Sequence, residues 1–179
     1  THNENKKYPF SIKYNFFEDD IKNILYSKPV DMIFICASIE YESHEKIKWR
    51  MVKFLESVKD KRIIYISSDA VYNGEKWNYK ETEIPNPLTQ YWINLVLCEN
   101  LIQLYCKNYC IIRPSYMYGY VGWKLDSRIT KIKNDTENWK NIIRFIDMFK
   151  SPLSYKQAAK IITEISFSKY KGIIHVCWD

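Results

Sequence analysis

The chain has 179 residues, of which 46% are hydrophobic and 16% aromatic, a composition that supports one well-filled core and argues against disorder. Its formal charge of +6 comes from scattered lysines rather than a compact block. We therefore expect a solvated basic surface and disfavour a nucleic-acid interface, for which the sequence carries no signature. There is no signal-peptide pattern and no apolar run of about eighteen residues, so the sequence predicts a protein that is neither secreted through a signal peptide nor membrane-spanning.

The cysteines favour a reducing compartment. There are five, an odd number in a chain too long to need disulfides, and most lie in apolar or helical segments. Buried free thiols explain this pattern, and we predict a cytoplasmic protein. Cys106 and Cys110 lack partners that would complete a metal site, and His175 and Cys177 simply alternate along a strand. No metal is expected.

Buried apolar runs alternate with segments of helical spacing along the chain. Strands are predicted over 9–16, 30–37, 62–67, 109–114 and 172–178. Helices are predicted over 18–27, 45–59, 89–107 and 155–168. Strands that are apolar throughout, joined by helices through short links, are typical of a parallel sheet covered by helices on both faces. Residues 115–150 are the least regular part of the chain.

Several motifs share one order and spacing. They are VDMIFICAS (30–38), YISSDAVYNG (65–74), IPNPLTQY (84–91), IIRPSYMYG (111–119) and KGIIHVC (171–177). Together they resemble the extended short-chain dehydrogenase/reductases, in the dTDP-4-dehydrorhamnose reductase-like branch that also includes the regulatory β subunit of methionine adenosyltransferase. The resemblance covers residues 14–179. It implies an α/β, Rossmann-like fold, shortened and lacking the first βα unit, as one domain over 1–179 with residues 115–150 as a remnant of the substrate lobe.

The resemblance also implies site residues. These are catalytic Ser68 and Tyr91, cofactor-binding Ala37, Ser38, Ser67 and Tyr91, and substrate-binding Asp69, Arg113, Ser115 and Tyr118. Physically, a serine-rich turn after a parallel strand lies at the sheet edge where ligands bind, and a tyrosine hydroxyl can protonate a carbonyl. Structural alternatives stay open: Ser68 as a turn serine, Arg113 as a loop-pinning ion pair, and His175 as a structural residue.

One departure from the family pattern lies on the predicted catalytic helix. Glu99 follows Tyr91 by eight residues and fits the family pattern Y-x-x-x-K-x-x-x-E, so Leu95 stands where the lysine is expected. Residues four apart share a helix face, so a lysine there would hold its charge near the Tyr91 hydroxyl. Without it, we expect the pKa of Tyr91 to stay near 10, with about one part in a thousand ionised at pH 7. Leucine also cannot hydrogen-bond a cofactor ribose.

The second departure is the glycine-rich turn that lets a dinucleotide pyrophosphate approach the backbone. The first glycine in the chain is Gly74. We therefore expect weakened NAD(P) binding, and the loss of a central strand should leave a gap in the sheet. Three repairs are open: residues 9–16 fold back, another copy or a different chain supplies a strand, or the sheet closes up.

Two functional hypotheses follow from these departures. Both departures affect residues that would bind the cofactor. The first hypothesis, which they favour, is a non-catalytic module that binds a nucleotide sugar, a nucleotide or a protein partner. The alternative is an active NAD(P)-dependent nucleotide-sugar reductase or epimerase that uses Tyr91 and Ser68.

Overall fold

The computed structural model describes residues 9–142 and 150–177. Strands are β1 Met32–Ile35, β2 Arg62–Ile66, β3 Tyr109–Pro114, β4 Met117–Tyr118, β5 Tyr120–Val121, β6 Lys124–Leu125, β7 Leu153–Ser154 and β8 Gly172–Val176. Helices are α1 Ile21–Ser27, α2 His44–Val58, α3 Gln90–Tyr105, α4 Ser127–Glu137 and α5 Tyr155–Phe167. The longest helix and the four long strands all fall within the predicted segments.

Side-chain caps start the helices where the sequence places short polar residues. The Thr89 hydroxyl accepts from the backbone N–H of Trp92 at 3.4 Å at the start of α3. Ser154 and Gln157 form a capping box at the start of α5, and the Asp126 side chain caps α4. Each cap satisfies backbone donors that a helix leaves unpaired at its amino end.

A four-stranded parallel sheet in the order β1-β2-β3-β8 forms the centre of the molecule. Alternate residues of β2 point to opposite faces, so Ile63 and Tyr65 join one buried cluster with α2 and α3, while Ile64 joins a second with α5. Helices therefore cover both faces of the sheet. This confirms the predicted Rossmann-like α/β class.

The strand predicted over 9–16 is wrong. Lys13 is an isolated bridge residue and the rest of the segment is irregular. Asn15 closes a local turn instead: its N–H donates to Asp19 Oδ2 at 2.7 Å, and its side chain accepts from Phe17 N–H at 3.0 Å. Such local bonds compete with strand pairing. Tyr14 and Phe16 of this segment pack on the α2 side of the core, whereas Phe10 is exposed.

The expected gap in the sheet is also wrong. The four long strands are direct neighbours, and β1 is an edge strand. In the doubly wound order 3-2-1-4-5-6, the first strand lies between strands 2 and 4, whereas strands 4, 5 and 6 lie side by side. The described sheet is continuous like that second half, so its first strand is an edge and no hole is left. Phe34 on β1 is 44% exposed. No further strand borders β1 in residues 9–142 and 150–177.

Residues 115–142 form a small lobe beside the sheet, made of two-residue strands and helix α4. Strand β4 pairs in parallel with β7, and β5 pairs with β6 as a two-residue hairpin. Residues 143–149 of the predicted lobe lie outside the described residues, as do 1–8 and 178–179 of the predicted domain. The assignment of 115–150 as a substrate-lobe remnant stays a prediction.

The amino end of the sheet is tied to α5 by Arg62. Its guanidinium donates to the carbonyls of Ser166 at 2.9 Å and Tyr170 at 3.0 Å, and to Asn108 Oδ1 at 2.9 Å. An arginine at a helix end satisfies carbonyls that the helix leaves free. In the part of the chain that the structure describes, no helix combines the length and apolar character needed to cross a bilayer.

Candidate functional site

The carboxyl ends of β2, β3 and β8 meet at one sheet edge and open into a cleft of about 740 Å³. Its walls include Asp69, Tyr72, Arg113, Ser115, Lys150 and His175. Ligands bind at this edge of open α/β sheets, so the position agrees with the general rule. Three of the four predicted substrate-binding residues therefore line one cleft, and their contact with a substrate stays a prediction.

Asp69 is one of two acidic residues, with Glu75, that line the cleft in the described part of the chain. It opens a short 3-10 turn, Asp69–Val71, that Ser68 caps by accepting from Ala70 N–H at 3.1 Å. The Asp69 Oδ2 accepts from Ser115 Oγ at 2.9 Å and lies 3.4 Å from Lys150 Nζ. Ser68 Oγ also donates to Asp69 Oδ1 at 3.3 Å. The carboxylate is thus oriented from three sides, and together with Ser115 and Lys150 it can hydrogen-bond a polar ligand.

Arg113 is held below the cleft by a buried ion pair with Glu99. Both side chains are 1% exposed, and the pair is bidentate, with Nε to Oε1 at 2.9 Å and a terminal nitrogen to Oε2 at 2.5 Å. Ser67 Oγ donates to the same carboxylate at 2.5 Å. The structure therefore gives Arg113 the pinning role that the sequence left open. Ser67 is buried beside the pair, and its contact with a cofactor stays a prediction.

The Tyr72 hydroxyl joins this pair to the cleft wall. It accepts from Arg113 at 2.6 Å, donates to the carbonyl of Lys80 at 2.9 Å and lies 3.2 Å from His175 Nε2. The Tyr79 ring stacks on Tyr72 with centroids 4.3 Å apart. The loop over residues 72–83 is thereby fixed to β3 and β8.

Tyr91 lies in a different environment. It does not line the cleft, and its ring packs against Tyr41 with centroids 4.6 Å apart. Leu95, one turn further along α3, is 2% exposed and belongs to the core. Burial raises the pKa of Tyr91, with further increases from the nearby Glu40 charge and Tyr41. The expectation that this pKa stays near its ordinary value is therefore wrong, because desolvation and a negative neighbour both disfavour the phenolate.

Glu40 is a buried acid beside Tyr91 that the sequence analysis missed. It is 3% exposed, and Tyr65 donates its hydroxyl proton to Glu40 Oε1 at 2.6 Å. Burial raises the pKa of Glu40, and the bond from Tyr65 partly opposes that shift. The tyrosine that resembles a catalytic base thus has an acid nearby where the family pattern has a lysine.

Asn94 clamps the turn that carries Glu40 onto α3. Its Nδ2 donates to the carbonyls of Glu40 at 2.9 Å and Glu42 at 3.1 Å. Its Oδ1 lies 3.1 Å from His44 Nδ1 and accepts from Gln90 at 3.2 Å. The side chain is 1% exposed and fully hydrogen-bonded, so it fixes the turn that bears Tyr41.

The remaining predicted site residues are scattered. Ala37 and Ser38 are exposed and follow the carboxyl end of β1, as a cofactor contact on that side would require. Tyr118 is 37% exposed on β4 and is not among the described residues that line the cleft. The structure therefore brings Asp69, Arg113 and Ser115 together and leaves Tyr118 and the β1 residues elsewhere.

The sequence analysis did not predict that two residues, Tyr72 and His175, line the cleft. His175 was assigned a structural role from its alternating strand, and Tyr72 was not singled out at all. Their meeting depends on a contact across 103 positions. The sequence held one signal: His175 lies in a predicted strand that carries a family motif, as Arg113 does. The structure pairs the two residues in register. Among the described residues, no group of three or more His, Cys, Asp or Glu side chains has the arrangement of a metal site.

Comparison with known sequences identifies related proteins. A family model described as the RmlD substrate binding domain matches residues 42–177. The spore coat polysaccharide biosynthesis protein SpsK of Bacillus subtilis is 32% identical over 114 residues, which is 63% of this chain and 39% of that protein. Methionine adenosyltransferase 2 subunit beta of Danio rerio is 25% identical over 136 residues, 70% of this chain and 42% of that protein. The chain thus spans about two fifths of the length of these relatives.

Solved structures agree with this grouping. A hypothetical dTDP-4-dehydrorhamnose reductase from Sulfolobus tokodaii superposes with a TM-score of 0.81 and 25% identity, covering 100% of this chain and 67% of that one. The UDP-glucuronic acid 4-epimerase of Bacillus cereus, in complex with UDP-glucuronic acid and NAD, gives a TM-score of 0.71 at 17% identity, covering 93% of this chain and 59% of that one. The second likeness concerns the fold alone.

Proposed function

Because the chain belongs to the family of the RmlD substrate binding domain, we propose that it is a non-catalytic module that binds a nucleotide sugar, or a nucleotide, in the cleft. The observation that carries the proposal is a separation of groups. The hydrogen-bonding residues Asp69, Ser115 and Lys150 line the cleft, whereas Tyr91 lies outside it against Tyr41. A reductase of this kind needs its tyrosine at the substrate carbonyl.

The Tyr91 side does not fit a nicotinamide cofactor well. Leu95 is buried in the core and offers no hydrogen bond to a ribose. Glu40 adds negative charge where catalysis by Tyr91 would require positive charge, and it contributes to the raised pKa of the phenol. We therefore propose that NAD(P) binding is weakened.

The proposal is tested by a thermal-shift titration of the protein with four ligands: UDP-glucose, UDP-glucuronic acid, NADH and NADPH. A ligand present at about a hundred times its Kd should add roughly 2.7 kcal/mol to the free energy of unfolding. Stabilisation by a UDP sugar but not by the dinucleotides is the expected result. Stabilisation by NADH or NADPH would instead support an active oxidoreductase with Tyr91 and Ser68 as catalytic residues. No shift with any of the four would contradict ligand binding.

A mutational control separates cleft binding from binding elsewhere. Asp69→Asn removes the carboxylate charge but keeps the size of the side chain, and Ser115 can still donate to its amide oxygen. We expect at least a severalfold loss of affinity for the UDP sugar that binds. Asp60→Asn, 69% exposed in the turn after α2 and outside the cleft lining, is the matched control and should leave affinity unchanged. Equal affinity in Asp69→Asn and the unmodified chain would contradict the cleft as the binding site.

A second candidate function, binding of a protein partner, is favoured by the β1 edge. Strand β1 has one neighbour in the described sheet, and Phe34 is 44% exposed on it. An edge strand with an exposed apolar side chain is a template for strand addition by another chain or a second copy. Light scattering over a concentration series should show association that Phe34→Asp weakens. Phe167→Asp, at the exposed end of α5, should not weaken it. Association equal in all three proteins would contradict this function.

A further inference from the structure

Trp77 is an exposed aromatic residue on the wall of the cleft. It is 64% exposed, and it lies in the loop over residues 72–83, of which residues 74–79 all line the cleft. Trp49, Trp123 and Trp139 are also exposed, but they do not line the cleft. Binding clefts use aromatic side chains because a large apolar surface is gained when such a ring leaves water. Trp77 is therefore the exposed tryptophan that a ligand in the cleft can contact.

Local bonds hold the backbone on both sides of Trp77. The residue before it, Lys76, donates its backbone N–H to the Tyr79 hydroxyl at 3.4 Å. That hydroxyl donates in turn to Asn73 Oδ1 at 2.6 Å. The residue after it, Asn78, turns the chain with a left-handed φ of 54°, which asparagine tolerates better than most residues. A side chain on backbone that is already ordered loses less conformational entropy when a ligand binds.

The strand ends supply the other chemistry of the cleft. Asp69 follows β2 and Ser115 follows β3, and together with Lys150 they provide charged and hydrogen-bonding groups. Such groups fit hydroxyls, whereas the face of an indole fits a flat ring. A nucleotide sugar has both kinds of group at opposite ends, a planar base and a hydroxyl-bearing sugar. A cleft of about 740 Å³ is within the size range that holds a whole small-molecule ligand.

We propose that Trp77 stacks on the nucleobase of the ligand, so that the base lies at the 72–83 loop and the sugar lies toward Asp69 and Ser115. This inference rests on the proposed binding function of the cleft and adds the direction in which the ligand lies. Stacking uses the face of a base rather than its edge. Trp77 therefore selects nucleotides over phosphorylated sugars without choosing among the bases.

Calorimetric titration with UDP-glucose and UDP-glucuronic acid tests the proposal. Loss of one base–aromatic stacking contact typically weakens binding by about 5- to 150-fold. We expect Trp77→Ala to lose affinity within that range for the sugar nucleotide that binds more tightly. Trp77→Phe keeps an aromatic face and should bind more tightly than Trp77→Ala. Because Trp77 is mostly exposed, both variants should keep the Tm of the unmodified protein, which shows that the fold is intact.

The matched control is Trp123→Ala, in the turn between β5 and β6, where the tryptophan is fully exposed and outside the cleft lining. It should bind like the unmodified protein. Equal affinity of Trp77→Ala and the unmodified protein would overturn the inference and leave the proposed function standing. An equal loss in Trp123→Ala would also overturn it, because the effect would then not belong to the cleft. No binding of either ligand by the unmodified protein would overturn the proposed function itself.

A second measurement separates the base from the sugar. In saturation-transfer NMR with the same ligand, the unmodified protein should transfer magnetisation to the H5 and H6 protons of the uracil ring. Trp77→Ala should reduce this transfer relative to the transfer to the sugar protons. A selective loss at the sugar protons would overturn the inference even with weakened binding, because the sugar rather than the base would then lie on the indole.

Discussion

The two ends of the sheet's carboxyl edge differ in chemistry. At β3 and β8, charged and polar side chains form a continuous network from Ser67 through Glu99, Arg113 and Tyr72 to His175. At β1, the corresponding space holds aromatic and aliphatic side chains and a buried acid. The first end is equipped to recognise polar groups. At the second, burial, the Glu40 charge and Tyr41 all raise the pKa of Tyr91, and no cation among the described residues opposes them.

The contrast shows that a residue can keep its motif position while its surroundings no longer support the chemistry that the motif implies. Tyr91 occupies the motif position of a catalytic residue, but its pKa is raised by burial and by Glu40. Arg113 occupies a motif position that implies contact with a substrate, and its charge is paired with that of Glu99. What each residue can do is decided by the charges beside it and by its burial, which the motif does not contain.

The largest effect is expected from breaking the buried ion pair. Glu99→Gln leaves the Arg113 charge buried without its partner, which typically costs about 3–5 kcal/mol of the free energy of unfolding. Urea denaturation measures this loss. Glu42→Gln, in the exposed pair with Lys46, is the control and should change stability little. Equal stability of Glu99→Gln and the unmodified chain would show that the pair does not hold the network together.

Restoring the family lysine is the next test. Leu95→Lys places a charge in the core and should lower the free energy of unfolding by about 3 kcal/mol. Leu95→Met should cost less than about 1.5 kcal/mol. Because Glu40 remains beside Tyr91, we expect no oxidation of NADH or NADPH with nucleotide-sugar substrates. Activity in Leu95→Lys would show that the rest of a catalytic site is intact, against the proposed function.

A smaller loss is expected at the clamp between α3 and the Glu40 turn. Asn94→Asp removes both donors from two carbonyls and places a carboxylate against them, at a cost of about 2 kcal/mol. Hydrogen exchange should accelerate at residues 39–42 more than elsewhere. Asn100→Asp, exposed on the same helix, is the control. Unchanged exchange in Asn94→Asp would mean that packing alone holds the turn.

The smallest effect concerns the pH dependence of stability. The pKa of Glu40 is raised above the ordinary 4.5 in the folded state, so the folded protein holds that proton more tightly than the unfolded chain does. This contribution is present below pH 4.5 and is lost as the pH rises through the raised value. Glu40→Gln keeps an acceptor for Tyr65, so its Tm relative to the unmodified protein should increase with pH above about 4.5. A constant difference would contradict the shift, and exposed Glu45→Gln controls for the lost carboxylate.

Much of the fold was predictable because it follows from local patterns. The four long strands are apolar runs, and α2, α3 and α5 have clear helical spacing, so each was placed within a few residues. The strand over 9–16 failed for a local reason as well. Asn15 and Asp19 offer the backbone a turn that competes with strand pairing, and an apolar pattern alone does not weigh that competition.

The site was predictable in part. Asp69 and Ser115 follow directly after parallel strands, so their meeting at one sheet edge follows from topology. The roles of Glu40, Tyr72 and His175 depend on contacts between segments that are far apart in the sequence. Burial and charge at such contacts set hydrogen-bond direction and pKa, and neither can be derived from a residue's own neighbours.

Arg62 has a consequence for the order in which the molecule is assembled. It binds carbonyls that lie 104 and 108 positions later in the chain, next to the start of β8. Contacts this distant are made late, because a long loop must be ordered before they form. During synthesis, β1, β2 and β3 can pair while residues 165–177 are still unmade. The cleft wall that holds His175 therefore forms after β1, β2 and β3 have paired, once this stretch has been synthesised and Arg62 has bound its carbonyls.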